Sequence, residues 1–431
     1  MAALRRSGEV GKVFRQICRG FLLSVSCHSP AGHLFCPLME GFCMLFPDGI
    51  RRIVVQEPTL ADISSFPLFR SVSGLNPDQY AVFPGFCDVH VHFREPGFSY
   101  KETIQTGAAA AAASGTTAVC TMPNLNPVPD SVEHLKPQLD RIAQAPIRVL
   151  PYGSVTIGEK GTRLSDLEDL APYVVAFSDD GVGIADEGLM REAMQRCKVL
   201  GKVIAGHCED MRYNDPRERE WREVERNIRI AYDTGCPFHV CHISTVESVR
   251  LIREAKQSHL DVSCETAPHY LLLDDAQLED SGRFKMNPPI HGKADRTALL
   301  EALADGTVDM IATDHAPHSE NEKSRGFAKS LNGIVGLETA FPVLYTRLVQ
   351  SGLITLEQLV TLMAISPRER FGIPMQNEYA IWDLSTEYSL DSSCFRSLGR
   401  STPFEGWNVR GRCVLTAFNG TVVHSAEPFF D

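Results

Sequence analysis

From Phe86 to Thr313 the sequence switches repeatedly between two hydrophobic periods, and no other feature narrows the fold as much. Short runs dense in apolar residues fall at 86–93, 117–122, 147–154, 173–178, 202–207, 238–243, 261–266 and 308–313. Their length is that of strands. Between them lie segments of helical period, among them Lys101 to Ala113 with its alanine run, 187–200, 219–234 and 246–257. Each can lay one apolar stripe against a sheet. Eight alternating strand and helix units predict a parallel (β/α)8 TIM barrel, an architecture that commonly occupies about 250 residues as one domain.

The barrel leaves sequence over at both ends. Strand-like stretches occur around 50–55 and 81–84, and again in "GWNVRGRCVLTAFNGTVVH", residues 406–424, where Asn419-Gly420 between two β-prone runs is a hairpin signal. A small β-sandwich formed from both termini accounts for them. The expected organisation is an extension over 1–44, the first part of the sandwich over 45–84, the barrel over 85–373 and the rest of the sandwich over 374–431. The extension is basic, with an apolar patch from Phe21 to Val25 too short to span a bilayer, and Met39 and Met44 are candidate starts.

Charge and cysteine usage remove several function classes. A formal net charge of −12 opposes general binding to nucleic acid or to anionic membranes, and no segment approaches transmembrane length. The thirteen cysteines lack a CxxC framework, and Cys120, Cys241 and Cys264 sit inside apolar runs. They read as reduced core residues of a cytoplasmic protein.

Catalytic groups of such a barrel gather at the C-terminal ends of its strands. The first run ends in His90 and His92, the fourth in Asp179 and Asp180, the fifth in His207, the sixth in His242 and the eighth in Asp314. Singly, such an aspartate caps a helix and such a histidine bonds a loop carbonyl. Together they converge on one mouth, and imidazole plus carboxylate without thiolate suits zinc or another borderline divalent ion. The number of ligands exceeds what one four-coordinate zinc with an open position uses, so two metals sharing a bridge are expected. Hydrolysis, or its reverse, is the corresponding chemistry.

Seven short motifs now stand in order: "DVHVHFREPG", "MPN" at 122–124, "FSDDG" at 177–181, "HCED" at 207–210, "HIST" at 242–245, "MNPP" at 286–289 and "ATDHAPH" at 312–318. Over about residues 83–373 the chain resembles the dihydroorotases of the amidohydrolase superfamily, and most of all their bacterial multifunctional-type branch. The resemblance implies reversible cyclisation of N-carbamoyl-L-aspartate to dihydroorotate in pyrimidine synthesis. It implies that His90, His92 and Asp314 hold one zinc, that His207 and His242 hold a second, and that Asp180 bridges them. Many relatives bridge with a carboxylated lysine, but no lysine stands between Leu170 and Asp180, and Asp179 is the competing bridge. Arg94 and Asn124 would hold the substrate carboxylate, His318 would contact the substrate and Asn287 its ring, while Asp314 would shuttle the proton. A homodimer and an association with aspartate transcarbamoylase are the expected assemblies.

Two alternatives share these residues. An allantoinase or hydantoinase would keep the metal ligands and change the clamp, which Arg94 opposes because a neutral hydantoin has no carboxylate for it. A non-catalytic assembly partner would usually have lost ligands, and this chain keeps all six.

Overall fold

The computed structural model describes residues 42–46, 49–53 and 80–426. Phe42–Phe46 (β1) and Gly49–Ile53 (β2) pair as a two-stranded sheet. The expected extension up to residue 41, most of the first sandwich segment at 54–79, and residues 427–431 lie outside the described residues.

Tyr80–Pro84 (β3) is followed at once by Phe86–Val91 (β4), the first barrel strand. The others are Thr116–Thr121 (β5), Arg148–Pro151 (β6) continued by Gly153–Ser154 (β7), Phe177–Ser178 (β8), Ile204–Gly206 (β9), Phe238–Val240 (β10), Val262–Thr266 (β11) and Met310–Ile311 (β12). Neighbours pair in parallel all the way round. A parallel bridge between Val91 and His315, with the His92 amide donating to the His315 carbonyl at 2.8 Å, closes last strand on first. The eight expected strands are all present. Several are shorter than their apolar runs: of 173–178 only Phe177–Ser178 forms a ladder, with Gly153–Ser154, while the Val175 amide donates to the Pro151 carbonyl and the Ala176 carbonyl accepts from the Gly153 amide just ahead of it.

Small residues from most strands fill the barrel, including Cys87, Val89, Ala118, Cys120, Ala176, Ala205, Cys241 and Ala312. Val91 and Phe93 instead pack with Ile104, Ala108 and Ala111 of the helix Ile104–Ala113, outside the strand. Plain alternation would put Cys87, Val89, Val91 and Phe93 on one face. A register irregularity between Asp88 and Val91 separates them, as a bulge beside a functional site does. It leaves His90 and His92 on the mouth side.

That helix begins at Ile104 rather than Lys101 because Thr103 caps it, its hydroxyl accepting from the Thr106 amide at 3.0 Å. Its small residues permit close approach: a Cβ on Gly107 would lie 2.3 Å from the Phe93 ring. The helix Pro216–Thr234 starts earlier than its apolar period suggests, with Asp215 as cap and proline in its first turn. Glu187–Leu200 and Val246–Gln257 match expectation.

β3 joins Tyr379–Asp383 (β13), Arg412–Phe418 (β16) and Thr421–Ser425 (β17) in an antiparallel sheet of order β17-β16-β13-β3, drawn from both sides of the barrel. Between β13 and β16, Tyr388–Ser389 (β14) pairs with Asn408–Val409 (β15). The β16–β17 turn uses Asn419 and Gly420 at φ 51° and 76°, the left-handed pair a two-residue hairpin requires. The Thr416 hydroxyl donates to the Ala112 carbonyl at 2.6 Å, tying this sheet to the first barrel helix. Of the nine cysteines between residues 80 and 426, eight are buried, Cys394 is exposed, and all are free thiols. No helix among the described residues is long and apolar enough to cross a membrane.

Candidate metal centre and carboxylate clamp

Four imidazoles surround one carboxylate. Asp180 Oδ1 lies 3.3 Å from His90 Nε2 and 3.6 Å from both His207 Nδ1 and His242 Nε2, while its Oδ2 lies 3.5 Å from His92 Nε2. Asp314 Oδ1 stands 3.0 Å from His92 Nε2 and 3.6 Å from His90 Nε2. All six residues are buried. Burial alone would raise both carboxyls, but the imidazoles hold Asp180 well below the usual range and Asp314 below it. His90 is raised well above an ordinary imidazole by Asp180 and Glu265 against its own desolvation. His207 is pushed up to about 10 by Asp180 and Glu209, again against desolvation.

The six donors come from five strand ends, and two adopt left-handed backbone, His242 at φ 31° and Asp314 at φ 47°. Such conformations cost a non-glycine residue of order 1–3 kcal/mol and gather at functional sites. Asp179 faces the other way. Its Oδ1 accepts from the Val155 and Thr156 amides at 2.7 and 3.0 Å, and its Oδ2 accepts from the Thr156 hydroxyl. Burial pushes its carboxyl up to about 6 despite these bonds. Of the adjacent pair, Asp180 is the one among the histidines.

The donor set fits a divalent cation on its own chemistry. His90, His92 and Asp314 offer ligand atoms within 4.8 Å of one another, as do His90, Asp180 and His242. His90 Nε2, Asp180 Oδ1 and His242 Nδ1 are buried without a hydrogen-bond partner. His207 Nδ1 and His242 Nε2 face each other at 2.9 Å, where only one can carry a proton. Buried lone pairs crowded in this way need a positive charge among them.

Behind the cluster stand residues that the sequence pattern did not reveal. Glu265 accepts from His90 Nδ1 at 2.6 Å and from His239 Nε2 at 3.1 Å, which leaves His90 Nε2 as the free lone pair. His90 and His239 hold its carboxyl far below normal against its burial. Glu209 pairs with His207 Nε2 at 3.3 Å. Both carboxylates lie in apolar or motif segments where sequence alone assigns no facing partner.

The residues expected to touch substrate fall into two groups. Asn124 Oδ1 lies 2.9 Å from His92 Nδ1 and accepts from Arg94 Nη1 at 3.4 Å, so one amide joins clamp and ligand cluster. Arg94 Nε also reaches the Pro317 carbonyl at 3.4 Å. Asn287 stands beside His207, but its amide donates to Glu209 Oε2 at 2.8 Å. His318 is buried with both ring nitrogens taken, Nδ1 by Lys101 at 3.1 Å and Nε2 by the Asn332 carbonyl at 2.6 Å.

A closed parallel barrel carrying this cluster at one mouth is the architecture of a metal-dependent cyclic amidohydrolase. Its backbone matches L-hydantoinase from Arthrobacter aurescens with a TM-score of 0.74 at 25% identity, over 88% of this chain and 93% of that one. A dihydropyrimidinase from Brevibacillus agri NCHU1002, at 21% identity and TM-score 0.74 over 90% of each chain, shares the fold. The family described as Dihydro-orotase-like matches residues 80–218. A dihydroorotase of Geobacillus sp. (strain WCH70) is 45% identical over 370 residues, covering 79% of this chain and 87% of that protein. Another, from Brevibacillus brevis (strain 47), is 44% identical over 373 residues, 80% of this chain and 88% of that one. The chain belongs to the dihydroorotase family.

Proposed function

We propose that the enzyme interconverts dihydroorotate and N-carbamoyl-L-aspartate, as a step of pyrimidine synthesis. The observation that carries this is the Asn124 amide, which binds Arg94 on one side and His92 on the other. A carboxylate gripped by Arg94 is thereby set at a fixed offset from the Asp314–His92 pair. An arginine fork matches a carboxylate, and a neutral hydantoin ring offers it nothing.

His90, His92 and Asp314 would hold one zinc and His207 with His242 a second, with Asp180 between them. When bound, such ions polarise a carbonyl and make water a nucleophile near neutral pH. In the hydrolytic direction Asp314 accepts the proton of the attacking water and returns it to the ring nitrogen as the C–N bond breaks. In synthesis it takes a proton from the ureido nitrogen while that nitrogen attacks the protonated side-chain carboxyl, and delivers it to the departing hydroxyl, which leaves as water. Arg94 and Asn124 orient the substrate, Asn287 lies toward the ring, and His318 backs the clamp.

A homodimer, an association with aspartate transcarbamoylase, a cytoplasmic location and the domain limits 1–44, 45–84, 85–373 and 374–431 are part of the same proposal. The test is zinc-loaded protein assayed on dihydroorotate, hydantoin and allantoin, beside Arg94→Met. Wild type should strongly prefer dihydroorotate, and Arg94→Met should lose that preference while retaining metal. Equal turnover of hydantoin by wild type would refute the reading.

A further inference from the structure

Next to Arg94 lies a second buried cation. Lys101 follows the first strand and precedes the cap of its helix, and it is only 9% exposed. Its ammonium donates to His318 Nδ1 at 3.1 Å and pairs with Glu322 Oε1 at 3.1 Å. The rings of Phe98 and Tyr100 flank it, each with its centroid 5.6 Å away. Glu322 also accepts from the Tyr100 hydroxyl at 3.1 Å, and through Oε2 from the Ser319 amide at 3.0 Å. Arg94 shares the neighbourhood, since its Nε donates to the carbonyl of Pro317, the residue before His318, at 3.4 Å.

We propose that Lys101 is a specificity-determining positioning residue, which cancels Glu322 and fixes the His318 tautomer so that the charge of Arg94 is left for the carboxylate of the substrate. The inference rests on the proposed substrate carrying that carboxylate. Arg94, Lys101 and Glu322 sum to one positive charge, and an incoming carboxylate makes the pocket neutral. Without Lys101 the remaining pair sums to zero, Glu322 competes for Arg94, and its carboxylate repels the substrate.

The imidazole obeys the same logic. An ammonium has no lone pair, so Nδ1 of His318 accepts and the proton sits on Nε2, donated to Asn332. Desolvation, then Arg94 and Lys101, push this imidazole down to about 3, with Lys323 adding in the same direction. Among the described residues, Glu322, with Oε2 3.7 Å from Nδ1, is the one carboxylate paired with it. His318 is therefore a neutral wall of the clamp, and one Lys101 proton remains uncommitted to these two partners.

The test compares wild type, Lys101→Met and Lys101→Arg, all zinc-loaded, on dihydroorotate and on dihydrouracil, the same ring without its carboxylate. Lys101→Met should raise KM for dihydroorotate about tenfold or more with kcat within about threefold, leave dihydrouracil unaffected, and be partly rescued by Lys101→Arg. Histidine side-chain 15N spectra should show His318 protonated on Nε2 and untitrated above pH 5 in wild type, and titrating nearer the ordinary imidazole value in Lys101→Met. If Lys101→Met discriminates between the two rings as wild type does, or leaves the His318 spectrum unchanged, the role of Lys101 is overturned. If wild type itself does not discriminate, the substrate reading falls first and the inference with it.

Discussion

Asp179→Asn separates the two adjacent aspartates by a measurement that does not depend on turnover. In the folded protein the Asp179 carboxyl is pushed from 3.8 up to about 6 by burial. That difference of about two units corresponds to about 3 kcal/mol. The folded chain retains at this position a proton that the unfolded chain releases between about pH 4 and 6. Stability due to this group therefore falls as pH rises through the window, and the penalty is complete above it. Asparagine carries no such term. It can still accept from the Val155 and Thr156 amides, but its NH2 must face a Thr156 hydroxyl that already accepts from the Gly161 amide at 2.9 Å. That mismatch is a roughly pH-independent cost of about 1 kcal/mol. The stability of Asp179→Asn relative to wild type should thus rise by about 2 kcal/mol from pH 4 to pH 7, the remainder of the term lying at lower pH. Urea midpoints of chelator-treated proteins across that range measure it, and metal analysis of the untreated proteins runs in parallel. Asp179→Asn should keep its metal and Asp180→Asn should lose at least one equivalent. A stability difference that is flat with pH refutes the desolvation argument, and metal lost only from Asp179→Asn refutes the assignment of the bridge.

Asp314→Asn should lower kcat by about 10²–10⁴ while substrate still binds, and a loss under tenfold in metal-replete protein removes it as the proton carrier. Glu265→Gln should weaken zinc about 10–100-fold in a chelator competition, because the amide no longer fixes which nitrogen of His90 is bare. An unchanged affinity would leave Glu265 a framework residue only.

What the sequence discloses here is what neighbours along the chain can encode. The helices 187–200 and 246–257 match because their caps, Asp186 and Thr245, are local. The ligand positions are legible because every barrel strand delivers its last polar residue to the same rim. Strand lengths are less so: the apolar run at 173–178 carries no mark of where its ladder starts, and Tyr173, exposed in the fold, stands outside it. Glu265 is hidden for a stronger reason. Its acceptor role depends on His90, 175 residues away, and a lone glutamate in an apolar strand carries no mark of what it will face. Lys101 is masked by the helical pattern that continues past it. The true helix stops short at Thr103 and frees the lysine side chain for the clamp.

Barrel closure through Val91 and His315 sets the order in which this site can come into being. The His92–Asp314 pair spans 222 residues of chain, and the first and last strands supply three of the six donors. A growing or partly folded chain lacks that pair until the final strand docks on the first. Long-range closure of this kind is intrinsically slow, and deprotonated ligands favour the folded side once a cation is present. Metal uptake would accordingly be a late event in folding, a chemical report that the ring is complete.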